Sequence, residues 1–133
     1  MKKSTIVSLI IGAGLIILAL IFASGSSTSN GVRDTANANN VHMENGQQVI
    51  ELNAKGGYSP QTSYAKADIQ STLRIRTNGT FDCSSFVVIP SIGFRDSLPQ
   101  TGEKDVVIPP QKAGSTLQGF CGMGMYNFKI QFN

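Results

Sequence analysis

Residues 121–132 read Cys-Gly-Met-Gly-Met-Tyr-Asn-Phe-Lys-Ile-Gln-Phe, and two patterns meet in them. The second half alternates: Tyr126, Phe128, Ile130 and Phe132 are separated by Asn127, Lys129 and Gln131. A period of two is the signature of a strand with one face buried, and it predicts a terminal β-strand. The first half places three soft sulfur side chains at every second position, with glycine between them. In an extended segment Cys121, Met123 and Met125 would project the same way, and Gly122 and Gly124 would let the backbone bend around an ion.

Working upstream, the same strand grammar recurs. Ile69, Leu73 and Ile75 stand among Thr72, Arg74 and Arg76, and Asn78-Gly79 follows as a turn. Phe86–Ile89 is a short apolar run stopped by Pro90, and Asp105–Ile108 is another, closed by Pro109-Pro110. Val49, Ile50 and Leu52 start the series, and Ser63–Ala67 is a weaker candidate. Lys55-Gly-Gly-Tyr-Ser-Pro60 reads as a turn or bulge, and Ser91–Lys104 as loop. No amphipathic helical run follows residue 46. Short strands separated by Gly and Pro indicate an all-β sandwich or barrel over residues 47–133. Its core would be modest, so a bound metal could add to its stability.

The N-terminal part is of another kind. Residues 6–23, IVSLIIGAGLIILALIFA, are uncharged; as a helix at about 1.5 Å per residue they would span roughly 27 Å, close to a bilayer's hydrocarbon core. The run exceeds the h-region of an ordinary cleaved signal, so residues 1–23 are expected to be a retained membrane anchor in contact with lipid. Residues 24–46 are rich in Ser, Asn and Gly and lack periodicity, and they read as a flexible linker with a reach of about 25 Å. His42 and Met43 fall within it, without the supporting shell a metal site needs.

Composition excludes several functions. The net charge of +3 is scattered over single Lys and Arg residues, so no nucleic-acid footprint is present. His42 is the only histidine. Asp82, Ser84 and Ser85 flank Cys83, but no histidine lies near them to act as a base, so an enzyme is not expected. A blue-copper electron carrier needs two histidines, and zinc rarely takes thioether. Cys83 and Cys121, the only cysteines, together with Met123 and Met125 offer thiolate and thioether, ligands that select Cu(I). Two blander readings stand beside this one. Cys83 and Cys121 could form a disulfide in an extracytoplasmic structural or interaction module, and the methionines could fill core. Core filling does not explain why both are Met or why both spacers are Gly.

Gly56-Gly57-Tyr58-Ser59-Pro60, Asp82-Cys83-Ser84-Ser85, the Pro90 segment and Cys121-Gly-Met-Gly-Met125 together resemble the cupredoxin-like domains attached to bacterial copper-export ATPases. With the N-terminal apolar segment, the chain resembles membrane-anchored Cu(I) chaperones of Gram-positive bacteria. The resemblance implies a cupredoxin-like Greek-key β-sandwich after one transmembrane helix. It implies a binuclear Cu(I) site in which Cys83 and Cys121 bridge two ions, while Met123 and Met125 complete the more weakly held one. It also implies transfer of Cu(I) to a copper-transporting P-type ATPase and a part in copper resistance. Charge flanking residues 6–23 favours an external domain by about one positive charge. The family resemblance implies the cytoplasmic face, and that is the side expected.

Overall fold

The structure, a computed structural model, describes residues 39–133. The expected anchor over residues 6–23 and the first part of the expected linker lie outside the described residues. Among the described residues there is no α-helix, and none long and apolar enough to cross a membrane.

Among the described residues, ten strands form two sheets. They are β1 (Val41–Glu44), β2 (Gln47–Ala54), β3 (Tyr58–Ser59), β4 (Thr62–Ala65), β5 (Ser71–Asn78), β6 (Phe86–Ile89), β7 (Phe94–Ser97), β8 (Thr101–Ile108), β9 (Thr116–Cys121) and β10 (Asn127–Phe132). The first sheet runs β1-β2-β5-β8, with β3 also paired to β2. The second runs β4-β10-β9-β6-β7. The β2–β5 and β4–β10 pairs are parallel and the remaining pairs antiparallel. Parallel neighbours require crossovers, so the chain passes repeatedly between sheets. This is the expected β-sandwich.

The alternation seen in the sequence decides which face is inside. Ile50, Leu52 and Ala54 of β2, Leu73 and Ile75 of β5, and Val106 and Ile108 of β8 are buried. From the second sheet come Val87 and Ile89, Leu117 and Cys121, and Phe128, Ile130 and Phe132. All belong to one hydrophobic cluster. Each fully buried Leu, Ile or Phe contributes about 1.5–3 kcal/mol relative to exposure. Gly119 of β9 lies opposite Phe128 of β10. A Cβ there would sit 2.2 Å from the Phe128 ring, so only glycine admits the ring against β9.

Polar side chains close the remaining gaps. Buried Gln48 donates to Ser71 Oγ at 2.7 Å and to the Lys66 carbonyl at 3.1 Å, and accepts from Lys66 N–H at 2.8 Å. That ties β2 and β5 to the segment leaving β4. On the outer face of the first sheet, Arg74 forks onto Asp105 and also reaches Glu44, while Arg76 joins Glu51 and Glu103. Arg74 lies directly opposite Asp105, and Arg76 opposite Glu103. Such cross-strand pairs contribute roughly 0.2–1 kcal/mol each and help hold register.

Three sequence expectations need correction. Val41–Glu44, expected within the linker over 24–46, pairs with β2 as an edge strand. The expected loop over Ser91–Lys104 contains β7 and the first half of β8. Both are polar segments recruited by a neighbouring strand's free hydrogen-bonding edge, and no apolar period announces them. The third correction concerns the sulfur motif itself.

Candidate metal centre

Cys83 and Cys121 come together at one end of the sandwich. Cys83 opens a single 3-10 turn, Cys83–Ser85, that delivers the chain into β6. Asp82 caps that turn by accepting from Ser84 N–H. Cys121 is the last residue of β9, directly opposite Val87 of β6. The two Cα atoms are 5.7 Å apart, and the sulfurs are joined as a disulfide. That separation is typical of bridged cysteines. It also means that, once reduced, two thiols face each other across a gap that one soft ion can span. Cys121 is buried at 2% exposure and Cys83 is half-buried, so the pair is reached from the Cys83 side.

The motif is not extended as its spacing predicts. β9 ends at Cys121, and the chain turns over residues 122–126 before entering β10. Gly124 has a φ of +72° and donates its N–H to the Cys121 carbonyl at 2.8 Å, closing the turn. Alternation therefore stops at Cys121. Met123 and Met125 stand out on the turn at 80% and 65% exposure, while Cys121 points into the core. The structure thus brings together two of the four predicted ligands. It leaves the other two beside them on a solvent-facing turn.

Other residues shape the pair. Tyr126 N–H donates to Cys121 Sγ at 3.3 Å, and Cys121 N–H donates to the Tyr126 carbonyl at 2.9 Å. Asp82, next to Cys83, accepts from Ser84 Oγ and N–H and from Gly56 N–H. The Ser84 hydroxyl first, then the Gly56 amide and the Ser84 amide, hold its carboxyl below the ordinary carboxylate range. Tyr58 is buried, and burial first, then the charge of Asp82, pushes its phenol upward. It is a neutral hydrogen-bond donor at any physiological pH. Reading the sequence flagged Asp82 and the Gly56–Pro60 turn but assigned neither a part in the site. Nothing local indicates that two segments so distant in the chain meet.

Among the described residues, no group of three or more His, Cys, Asp or Glu side chains could hold a metal ion. The two cysteines themselves offer sulfur, a donor that suits soft cations more than hard ones. His42 lies on β1 with its imidazole near Glu44, and Met43 is exposed beside it.

Comparison with solved structures places this architecture. The crystal structure of the metal-binding domain of the Streptococcus pneumoniae Cu(I)-exporting P-type ATPase CopA, with Cu(I), superposes with a TM-score of 0.62 at 22% identity, covering 70% of this chain and 92% of that one. The solution structure of a copper-binding protein in its apo form gives a TM-score of 0.63 at 27% identity, covering 70% of this chain and 94% of that one. Comparison with curated proteins finds no match. The family model of the cupredoxin-like domain matches residues 14–131, and with a two-sheet sandwich that carries its cysteine pair at one end, this chain belongs to the cupredoxin-like domain family.

Proposed function

We propose that this chain is a Cu(I) carrier: it takes Cu(I) at Cys83, Cys121, Met123 and Met125 and hands it, from a membrane tether at residues 6–23, to a copper-exporting P-type ATPase. The observation that carries the reading is the meeting of Cys83 and Cys121, 38 residues apart, beside a turn that exposes two thioethers. The relatives support the cargo. One similar structure is a copper-binding protein, and another is the metal-binding domain of a Cu(I)-exporting ATPase, which also motivates the choice of partner.

The chemistry follows from the ligands. Two thiolates carry the charge that holds a monovalent soft cation, and one of them is buried, which limits its motion. Thioethers are neutral and bind more weakly. On an exposed turn they are the ligands that an incoming partner thiolate displaces first. Transfer is then a sequence of ligand substitutions in which copper stays Cu(I). Each donor thiolate that leaves takes up a proton, and each acceptor thiol that binds gives one up. A tether raises the carrier's concentration near a membrane transporter. Two ions at this site, a cytoplasmic orientation and a contribution to copper resistance belong to the same proposal.

Titration of the reduced full chain in detergent with Cu(I), against a chromogenic Cu(I) chelator under argon, tests it. Withdrawal of one or two equivalents from the chelator is expected. Failure of the reduced chain to compete would end the proposal.

The joined sulfurs favour a second reading, a disulfide-held structural or interaction module on the outer surface. Thiol titration of chain prepared without copper separates the two. Two reactive thiols in protein taken directly from cells support the carrier. Thiols that appear only after added reductant support the module.

A further inference from the structure

The β6–β9 ladder ends at the Val87–Cys121 pair. Cys83 lies beyond that end, on the 3-10 turn, where no sheet pairing fixes its distance from Cys121. In the disulfide the covalent bond does so. In the reduced chain that bond is gone, and something else must keep two thiols facing each other. One direct hydrogen bond, from Gly122 N–H to the Phe86 carbonyl, and three contacts that pass through the turn at Gly56–Tyr58 do this. Asp82 reaches that turn with one carboxylate oxygen, accepting from Gly56 N–H at 2.9 Å, while its other oxygen holds Ser84 N–H at 2.8 Å. The far end of the Cys83 segment is tied as well. The Phe86 carbonyl accepts from Tyr58 Oη–H at 3.3 Å and from Gly122 N–H at 3.1 Å. One oxygen therefore connects the Cys83 segment, the Gly56–Tyr58 turn and the residue after Cys121. Gly57 completes the ring. It packs beside the Tyr126 ring, where a Cβ would make ordinary van der Waals contact, and Tyr126 is the residue whose N–H donates to Cys121 Sγ.

We propose that Asp82 and Tyr58 are positioning residues of the copper site, clamping the Cys83 turn and the Cys121 turn to the Gly56–Tyr58 turn so that the reduced thiols stay facing each other as Cu(I) ligands. This rests on the Cu(I) reading above and adds to it two side chains that are not themselves proposed ligands. Tyr58 suits the role because its ring is anchored edge-on to Phe128, with centroids 5.1 Å apart, so its hydroxyl is held from the core. Asp82 suits it because it immediately precedes Cys83.

The test is Cu(I) affinity of the reduced full chain, by anaerobic chelator competition, in Asp82→Asn and Tyr58→Phe. Both are isosteric, and Phe keeps the packing on Phe128. Groups that orient metal ligands typically cost 10–100-fold in affinity when removed, and a loss of that size is expected for each variant, with a weaker Cu(I)–thiolate ultraviolet band per bound ion. Ser71→Ala is the control. It removes a partner of Gln48, far from the cysteines in the hydrogen-bond network, and lowers thermal stability without touching the clamp. It is expected to leave affinity unchanged. Wild-type affinity in both clamp variants overturns the positioning role and leaves the Cu(I) reading standing. Affinity that falls in Ser71→Ala as much as in the clamp variants also overturns it, because the effect would then be one of general stability. Absence of Cu(I) binding by the wild type overturns the Cu(I) reading, and the clamp with it.

Discussion

Cys121 and Met125 belong to one short motif, yet one is 2% exposed and the other 65%. The boundary between them is the end of β9. Up to Cys121 the chain is paired with β6 and β10, and its side chain belongs to the same buried cluster as Val87, Leu117 and Phe128. Past it the chain turns into solvent. A buried thiol has one position, set by a close-packed interior. An exposed thioether has many. The motif is therefore two environments joined by a glycine, and on the proposed Cu(I) reading the first holds the ion and the second lets it go. What makes them different is packing as much as the identity of the sulfur.

On that division the buried side is expected to be far more sensitive to change than the exposed one. Cys121→Ser should abolish tight Cu(I) binding in the chelator assay, the largest effect expected; retention of wild-type affinity would remove the thiol from the site. Phe128→Ala should follow, with a loss of about 3–5 kcal/mol in urea unfolding of the reduced chain, because a fully buried ring beneath β9 is deleted. Gly119→Ala attacks the same contact from the other side. Its Cβ would collide with the Phe128 ring, and an overpacking cost of about 1–3 kcal/mol is expected from the same unfolding curves. On the releasing side, Met125→Leu should change stability by no more than about 0.5 kcal/mol, as is usual for an exposed position. It should spare the more tightly held ion and weaken only the second. A large fall in unfolding midpoint in Met125→Leu would show that the turn is part of the core after all.

Acid offers a finer probe of the holding side. Asp82 has a carboxyl held below its ordinary range by Ser84 and Gly56. A carboxyl whose folded pKa is depressed contributes stability that is present above its unfolded value of about 3.9 and is lost as pH falls through the lower folded value. The stability gap between wild type and Asp82→Asn should therefore be constant near neutrality and shrink below about pH 4. A gap that persists unchanged at pH 2 would mean the carboxylate charge contributes nothing.

How much of this was legible beforehand follows from the range of the forces involved. The alternation of Leu73 and Ile75 in β5, and of Phe128, Ile130 and Phe132 in β10, is a local record of which face is buried. The strands it predicts are there. β7, reading Phe-Arg-Asp-Ser, has no such record. It exists because β6 offers an open edge, and its pairing is settled by a partner and not by its own composition. Thr101–Lys104 became strand for the same reason, with Glu103 opposite Arg76. Within the sulfur motif, the alternate spacing was visible, but the inference that it stays extended failed at the Gly124 turn.

By itself, then, the sequence determined the β class, the main buried faces, two cysteines and two methionines as candidate soft donors, and the scarcity of histidine, since each is written in residue identity or in a period of two. Only the tertiary structure decided the rest. It set Cys83 against Cys121, left Met123 and Met125 outside, brought Tyr58 and Gly122 together on the Phe86 carbonyl, and tied Asp82 to Gly56. Those relations link segments far apart in the chain. They are fixed by sheet order and by where a ladder ends, which no local pattern encodes.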